Sequence, residues 1–107
     1  MLPKEQRLSR QFVKQLFNSG KRLSTPRFSI IHRPSTQSFS RISVVVPTSV
    51  SKLSSQRNRL RRIFYKALRG ILPLTTPLEM VIIVRRADPP HNLITVLSRE
   101  LSKIQRR

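Results

Sequence analysis

Leu60, Ile63, Phe64, Ala67, Leu68 and Ile71 recur at the spacing of one helical face, an apolar stripe about 140° wide at 100° per residue. Gly70 and Pro73 follow it, and Ser54 or Ser55 suits the N-cap, so the spacing predicts a helix over 54–69. A helix apolar on one side must bury that side, which commits the chain to a packed core. The opposite side carries Arg57, Asn58, Arg61, Arg62, Tyr65, Lys66 and Arg69, with Arg59 at its margin. No acid occurs between Ser54 and Gly70. Solvated helix faces usually mix signs to gain i,i+4 pairs; this one keeps a single sign.

The imbalance extends over the whole chain. Among 107 residues, 22 Lys and Arg stand against 4 Asp and Glu, a net charge of +18. Leu, Ile, Val and Phe still make up about a third of the sequence, far more than in a disordered polycation. A folded chain with this charge repels itself, and its expected partner is a polyanion. The length suits one domain, residues 1–107. The absence of cysteine excludes a disulfide framework, Cys-ligated zinc, iron–sulfur clusters and thiol catalysis. The longest apolar run, Met80–Val84, is far too short for a membrane span. Met1–Arg10 lacks the apolar segment of a secretory signal. The expectation is a cytoplasmic protein with no membrane partner.

Proline and glycine divide the remainder. Ser9 and Gly20 bracket Phe12, Val13, Leu16 and Phe17 at helical spacing, a first helix over 9–19. Phe28–His32 and Ile42–Val46 read as strands. The run Val44-Val45-Val46 suggests burial on both faces, as in the middle of a sheet. Met80–Val84 is a further strand, flanked by Glu79 and Arg85-Arg86. Asn92 suits the cap of a last helix with Ile94, Leu97, Leu101 and Ile104 inward. The order is α-β-β-α-β-α, with room for one more strand between residues 20 and 40. This is an α+β domain with helices packed on a small sheet.

Nothing in the chain assembles a protein-based active site. Glu5, Glu79, Asp88 and Glu100 are scattered, His32 and His91 stand apart, and there is no Gly-rich phosphate loop. The 54–69 helix, by contrast, suits a polyanion, since Arg and Lys release counterions from phosphates and Arg forks onto them.

The stretch Gln56-Arg57-Asn58-Arg59-Leu60-Arg61-Arg62 resembles the signature of the bacterial ribonuclease P protein component. In that family an Arg-Asn-Arg triplet opens a basic helix and is followed by an apolar residue and a basic pair. The resemblance covers nearly the whole chain: Leu8 to Gly20 is similar to the family's first helix, Arg41 to Val46 to the strand before its lysine-rich loop, and Glu79 to Val84 to its acidic-then-apolar strand. The last helix matches too.

The resemblance implies a four-stranded mixed sheet with three helices, αβββαβα, including a left-handed βαβ crossover. It implies a subunit that assists a catalytic RNA in removing the 5′ leader from precursor tRNA. The RNA carries the catalytic groups, and Mg2+ is bound mainly by RNA. Carried over by position, Arg57, Asn58, Arg59, Arg61 and Arg62 lie against the catalytic RNA, with Lys66 and Arg69 extending the same face. A leader cleft between the first helix and the sheet falls on Phe17, on Val13 or Phe12, and on Ile31. The loop departs from the family pattern: Pro47-Thr48-Ser49 stands where a Ser-Lys-Lys run is usual, and Leu53 follows Lys52. Lys52 is the loop contact that survives. The competing reading is a ribosomal or other structural RNA-binding protein with no processing role.

Overall fold

The computed structural model describes residues 10–105, apart from residues 73 and 75 and the side chains of residues 10, 12 and 105. The elements are α1 (Arg10–Ser19), β1 (Lys21–Ser24), β2 (Phe28–Pro34), β3 (Arg41–Val45), α2 (Ser54–Arg69), β4 (Leu78–Val84) and α3 (Leu93–Gln105). Ser9, the expected cap of α1, lies outside the described residues. β1 is the additional strand for which the sequence left room. Its pattern of exposure, with only Leu23 half-buried, explains why no apolar run announces it.

The four strands form one mixed sheet in the order β1-β2-β4-β3. β1 and β4 both run antiparallel to β2, while β3 runs parallel to β4. β3, α2 and β4 therefore make a βαβ unit. The register places His32 opposite Met80 and Ile42 beside Met80. The central strands are β2 and β4, whose residues are buried almost without break. The Val-rich β3 is an edge strand with alternating burial, which corrects its expected central place. Val44 is buried on the face that α2 covers, while Val45 on the opposite face is only half-buried.

One face of the sheet carries the main core. Phe28, Ile30, Ile42, Val44, Met80, Ile82 and Val84 pack there against Leu60, Phe64, Ala67 and Leu68 of α2. Leu93, Leu97, Leu101 and Ile104 of α3 close the same layer. The Phe28 and Phe64 rings meet edge to face, with centroids 5.9 Å apart. Ile94, expected inward, is 51% exposed. The buried stripe of α3 starts at Leu93 and repeats at 97, 101 and 104, which leaves Ile94 about 60° from the centre of the stripe and just beyond its margin. α2 spans the expected residues, but neither Ser54 nor Ser55 caps it. Leu53 holds the N-cap in an extended conformation without a side-chain cap bond.

The other face holds a smaller cluster of Leu16, Ile31 and Val81 under α1, with Val13, Val45 and Ile83 partly buried around it. Gly20 is required here by close approach. A Cβ at that position would sit 2.7 Å from Ile31 Cγ2 and 2.8 Å from the Leu16 carbonyl oxygen. Glu79 lies within β4 rather than beside it, and is 2% exposed. Its Oε1 accepts from Arg33 Nε at 2.6 Å. Arg33 also reaches toward Gln15 and Ser19 of α1, so this ion pair ties the end of α1 to the sheet.

Candidate nucleic-acid interface

α2 presents its cations to solvent because its apolar stripe is engaged with the sheet and α3. Asn58, Arg59, Arg62, Lys66 and Arg69 are exposed, and Arg57 and Arg61 are half-buried. Arg61 Nη2 donates to Asn58 Oδ1, which holds the two side chains as a pair. Arg57 turns back over the preceding loop, where Nη1 donates to the carbonyls of Ser51 and Lys52 at 2.9 and 3.0 Å. It therefore braces the loop as well as adding charge to the face. Arg62, Lys66, Arg69 and Gly70 border a shallow cavity of about 570 Å³ floored by Tyr65.

Tyr65 does not belong to the solvent face where the spacing put it. Only 9% of it is exposed, and its hydroxyl accepts from the Val44 N–H at 3.1 Å. α2 lies over the edge of the sheet at β3, so the arc it buries is wider than its apolar stripe. The loop before α2 turns through Val50 N–H to the Pro47 carbonyl at 3.0 Å. Thr48, Ser49 and Lys52 are exposed, and Leu53 is 65% exposed.

The α1 side of the sheet is different in kind. Phe17 is 48% exposed, Val13 is half-buried against the sheet, and the Phe12 side chain lies outside the described residues. Ile31, assigned by position to the wall of a cleft, is only 2% exposed. It packs with Leu16 and Val81 and lies under Gly20. Its side chain belongs to the floor beneath α1 and has no surface to offer a base. The half-buried residues Val45 and Ile83 lie beside that floor and were missed by the sequence reading. So was a stacked pair at the start of β3, with the Arg41 guanidinium 5.8 Å from the centre of the Phe39 ring. Alternation along β3 marks Val45, and its register partner Ile83 follows from the pairing, but the sequence carries no signal for the stacked pair.

Among the described residues, no three His, Asp or Glu side chains come together as a metal site. No described helix is long and apolar enough to cross a membrane. Among the described residues, α2 offers a basic surface suited to a polyanion, and the α1 side offers a partly exposed apolar one.

The ribonuclease P family profile matches residues 2–105. The chain belongs to the ribonuclease P protein family. It is accordingly the protein subunit of an endoribonuclease complex of tRNA processing. Ribonuclease P protein structures from two bacteria superpose on it. The Thermotoga maritima RNase P protein has a TM-score of 0.71 at 25% identity, covering 94% of this chain and 96% of that one. A Staphylococcus aureus RNase P protein mutant with defective mRNA degradation activity has a TM-score of 0.80 at 14% identity, covering 96% and 90%. The T. maritima protein in complex with 1-(4-fluorophenyl)-2-thiourea has a TM-score of 0.61 at 26% identity, covering 88% and 78%. No curated protein matches the sequence. In this ribonuclease P protein, the Arg-Asn-Arg triplet falls within the matched region and occupies the first turns of α2.

Proposed function

We propose that this protein binds the catalytic RNA of ribonuclease P through α2 and receives the 5′ leader of precursor tRNA beside α1. One observation carries the reading most directly: a single-signed helix face, with no acid in its sixteen residues, held rigid by an apolar stripe buried in the core. Asn58, Arg59, Arg61, Arg62, Lys66 and Arg69 meet RNA phosphates, while Arg57 both meets RNA and fixes the loop that presents Lys52. The catalytic groups belong to the RNA. Mg2+ is bound mainly by RNA phosphates, whose mutual repulsion the α2 cations reduce. The complex works in the cytoplasm.

The leader surface is built from Phe17 and Val13 on α1 over the partly exposed Val45 and Ile83. Phe17 supplies a ring for stacking on an unpaired base. Phe17→Ala is expected to weaken precursors with long leaders about tenfold, the loss of one base stack, and to leave leaderless substrates nearly unchanged. Kd measured for both substrates checks this, and equal losses would assign Phe17 to packing.

The deciding experiment is cleavage of precursor tRNA at low magnesium by the cognate catalytic RNA, with and without this protein. Restored cleavage at the mature 5′ end supports the proposal. RNA binding with unchanged cleavage would favour the structural RNA-binding reading, to which the loop residues Thr48, Ser49 and Leu53 give some weight.

A further inference from the structure

A second basic surface lies at the opposite edge of the sheet from α2, along the seam between β1 and α3. Three cavities follow one another there. One of about 360 Å³ is bordered by Leu23, Arg27, Arg99 and Lys103. A small one of about 80 Å³ shares Leu23 and Lys103 with it and adds Lys21, Arg22 and His32. The third, of about 230 Å³, shares Lys21 and His32 and extends to Arg33. Shared borders make them one groove. The four residues of β1 span about 13 Å, and α3 from Val96 to Ile104 spans about 12 Å, so strand and helix flank it over the same length.

The charge of this groove is poorly compensated. Glu100 is its one acid, 7% exposed and paired with Lys103 at 3.2 Å. Glu79 holds Arg33, and Asp88 stands 3.9 Å from Arg27. Lys21, Arg22 and Arg99 have no acidic partner among the described residues. The floor is apolar, with Leu23, Val96 and Ile104. β1 is also an edge strand with no neighbour beyond it, so it offers backbone donors and acceptors to whatever lies alongside.

We infer that this groove binds an unpaired stretch of RNA, separate from the RNA held on α2. Cations along the rim meet phosphates, the apolar floor takes base faces, and the edge of β1 hydrogen-bonds base edges. A duplex hides its base faces and Watson–Crick edges inside its stack and would use mainly the rim. β1 and β3 are three strand spacings apart, about 14 Å, so one molecule touches two RNA segments at once. This inference does not depend on the leader-binding reading, because it concerns the β1 edge and α3 rather than Phe17 and Val13, and is tested on the protein alone.

The test uses the full chain and a fluorescent 15-nucleotide single-stranded RNA. α2 is first silenced with Arg59→Ala, Arg62→Ala and Lys66→Ala. Adding Lys21→Ala, Arg22→Ala and Arg99→Ala is expected to weaken the remaining binding about tenfold or more and to reduce the salt slope by about 2, the value for three single-strand phosphate contacts. Removing the same charge from Lys14, Arg85 and Arg86 instead should change affinity less than about threefold. Equal losses from the two sets would overturn the inference, because binding would then follow net charge alone. Groove-dependent binding of the matching duplex with the same affinity would overturn it as well. A second readout is independent of these combined variants. The chain has no cysteine, so Arg99→Cys in the otherwise unaltered protein takes a single photo-crosslinker, which should label the 15-mer. Absence of labelling at saturating RNA would refute the groove.

Discussion

The hydroxyl of Tyr65 satisfies an N–H that no strand can reach. Val44 lies on the edge strand, and its amide points away from β4 toward α2. Tyr65→Phe leaves that buried donor without an acceptor and should cost about 1–3 kcal/mol. Urea denaturation checks the loss, and RNA affinity should stay within about twofold. A fall in RNA affinity with stability unchanged would put the ring on the RNA instead. Periodicity alone placed Tyr65 among the cations, because it lies about 60° beyond the margin of the apolar stripe. Which residues at that margin are buried depends on what the helix packs against, and the chain's local pattern does not record this. Ile31 failed for a related reason. Its residue type and strand were legible, but its cover by Leu16 and Gly20 comes from a helix that lies eleven or more residues earlier in sequence.

At the scale of elements, the two long amphipathic helices were legible because each carries its own burial pattern. β1 was only allowed for, since three exposed residues and one half-buried leucine make no pattern. The start of α2 is chemically unusual. Its first turn holds no acid, and its N-cap is a leucine without a side-chain cap bond. Both features forgo stabilisation that helix starts ordinarily obtain. Leu53→Asp should therefore raise the stability of the free protein by about 1 kcal/mol, seen as a higher melting temperature. The same change adds an anion beside Lys52 and Arg57 and should weaken RNA binding. A variant that melts higher and binds RNA equally well would show that the loop does not face RNA. An uncapped, cation-rich helix start suits a site that receives its anion from a partner.

The whole molecule is governed by its charge. Of the four acids, Glu79 and Glu100 are buried in ion pairs and Asp88 is shared by Arg27 and Arg86. Little negative charge is left at the described surface. Salt should act in opposite directions on the two properties of this protein. Raising it screens self-repulsion and should stabilise the free chain. The same change should weaken RNA binding, with log affinity falling against log salt at a slope of about −4 if α2 neutralises roughly six single-strand phosphates. Thermal melts and titrations over one salt series test both, and a binding slope near zero would refute the electrostatic account. The position of α2 has a further consequence. β3 is a valine-rich strand edge, and such edges recruit neighbouring chains when bare. α2 is the element laid over it. Lifting this helix would do more than release RNA, because it would open a template for self-aggregation. If RNA seats on α2 as proposed, it would hold that template shut and keep the protein from associating with itself.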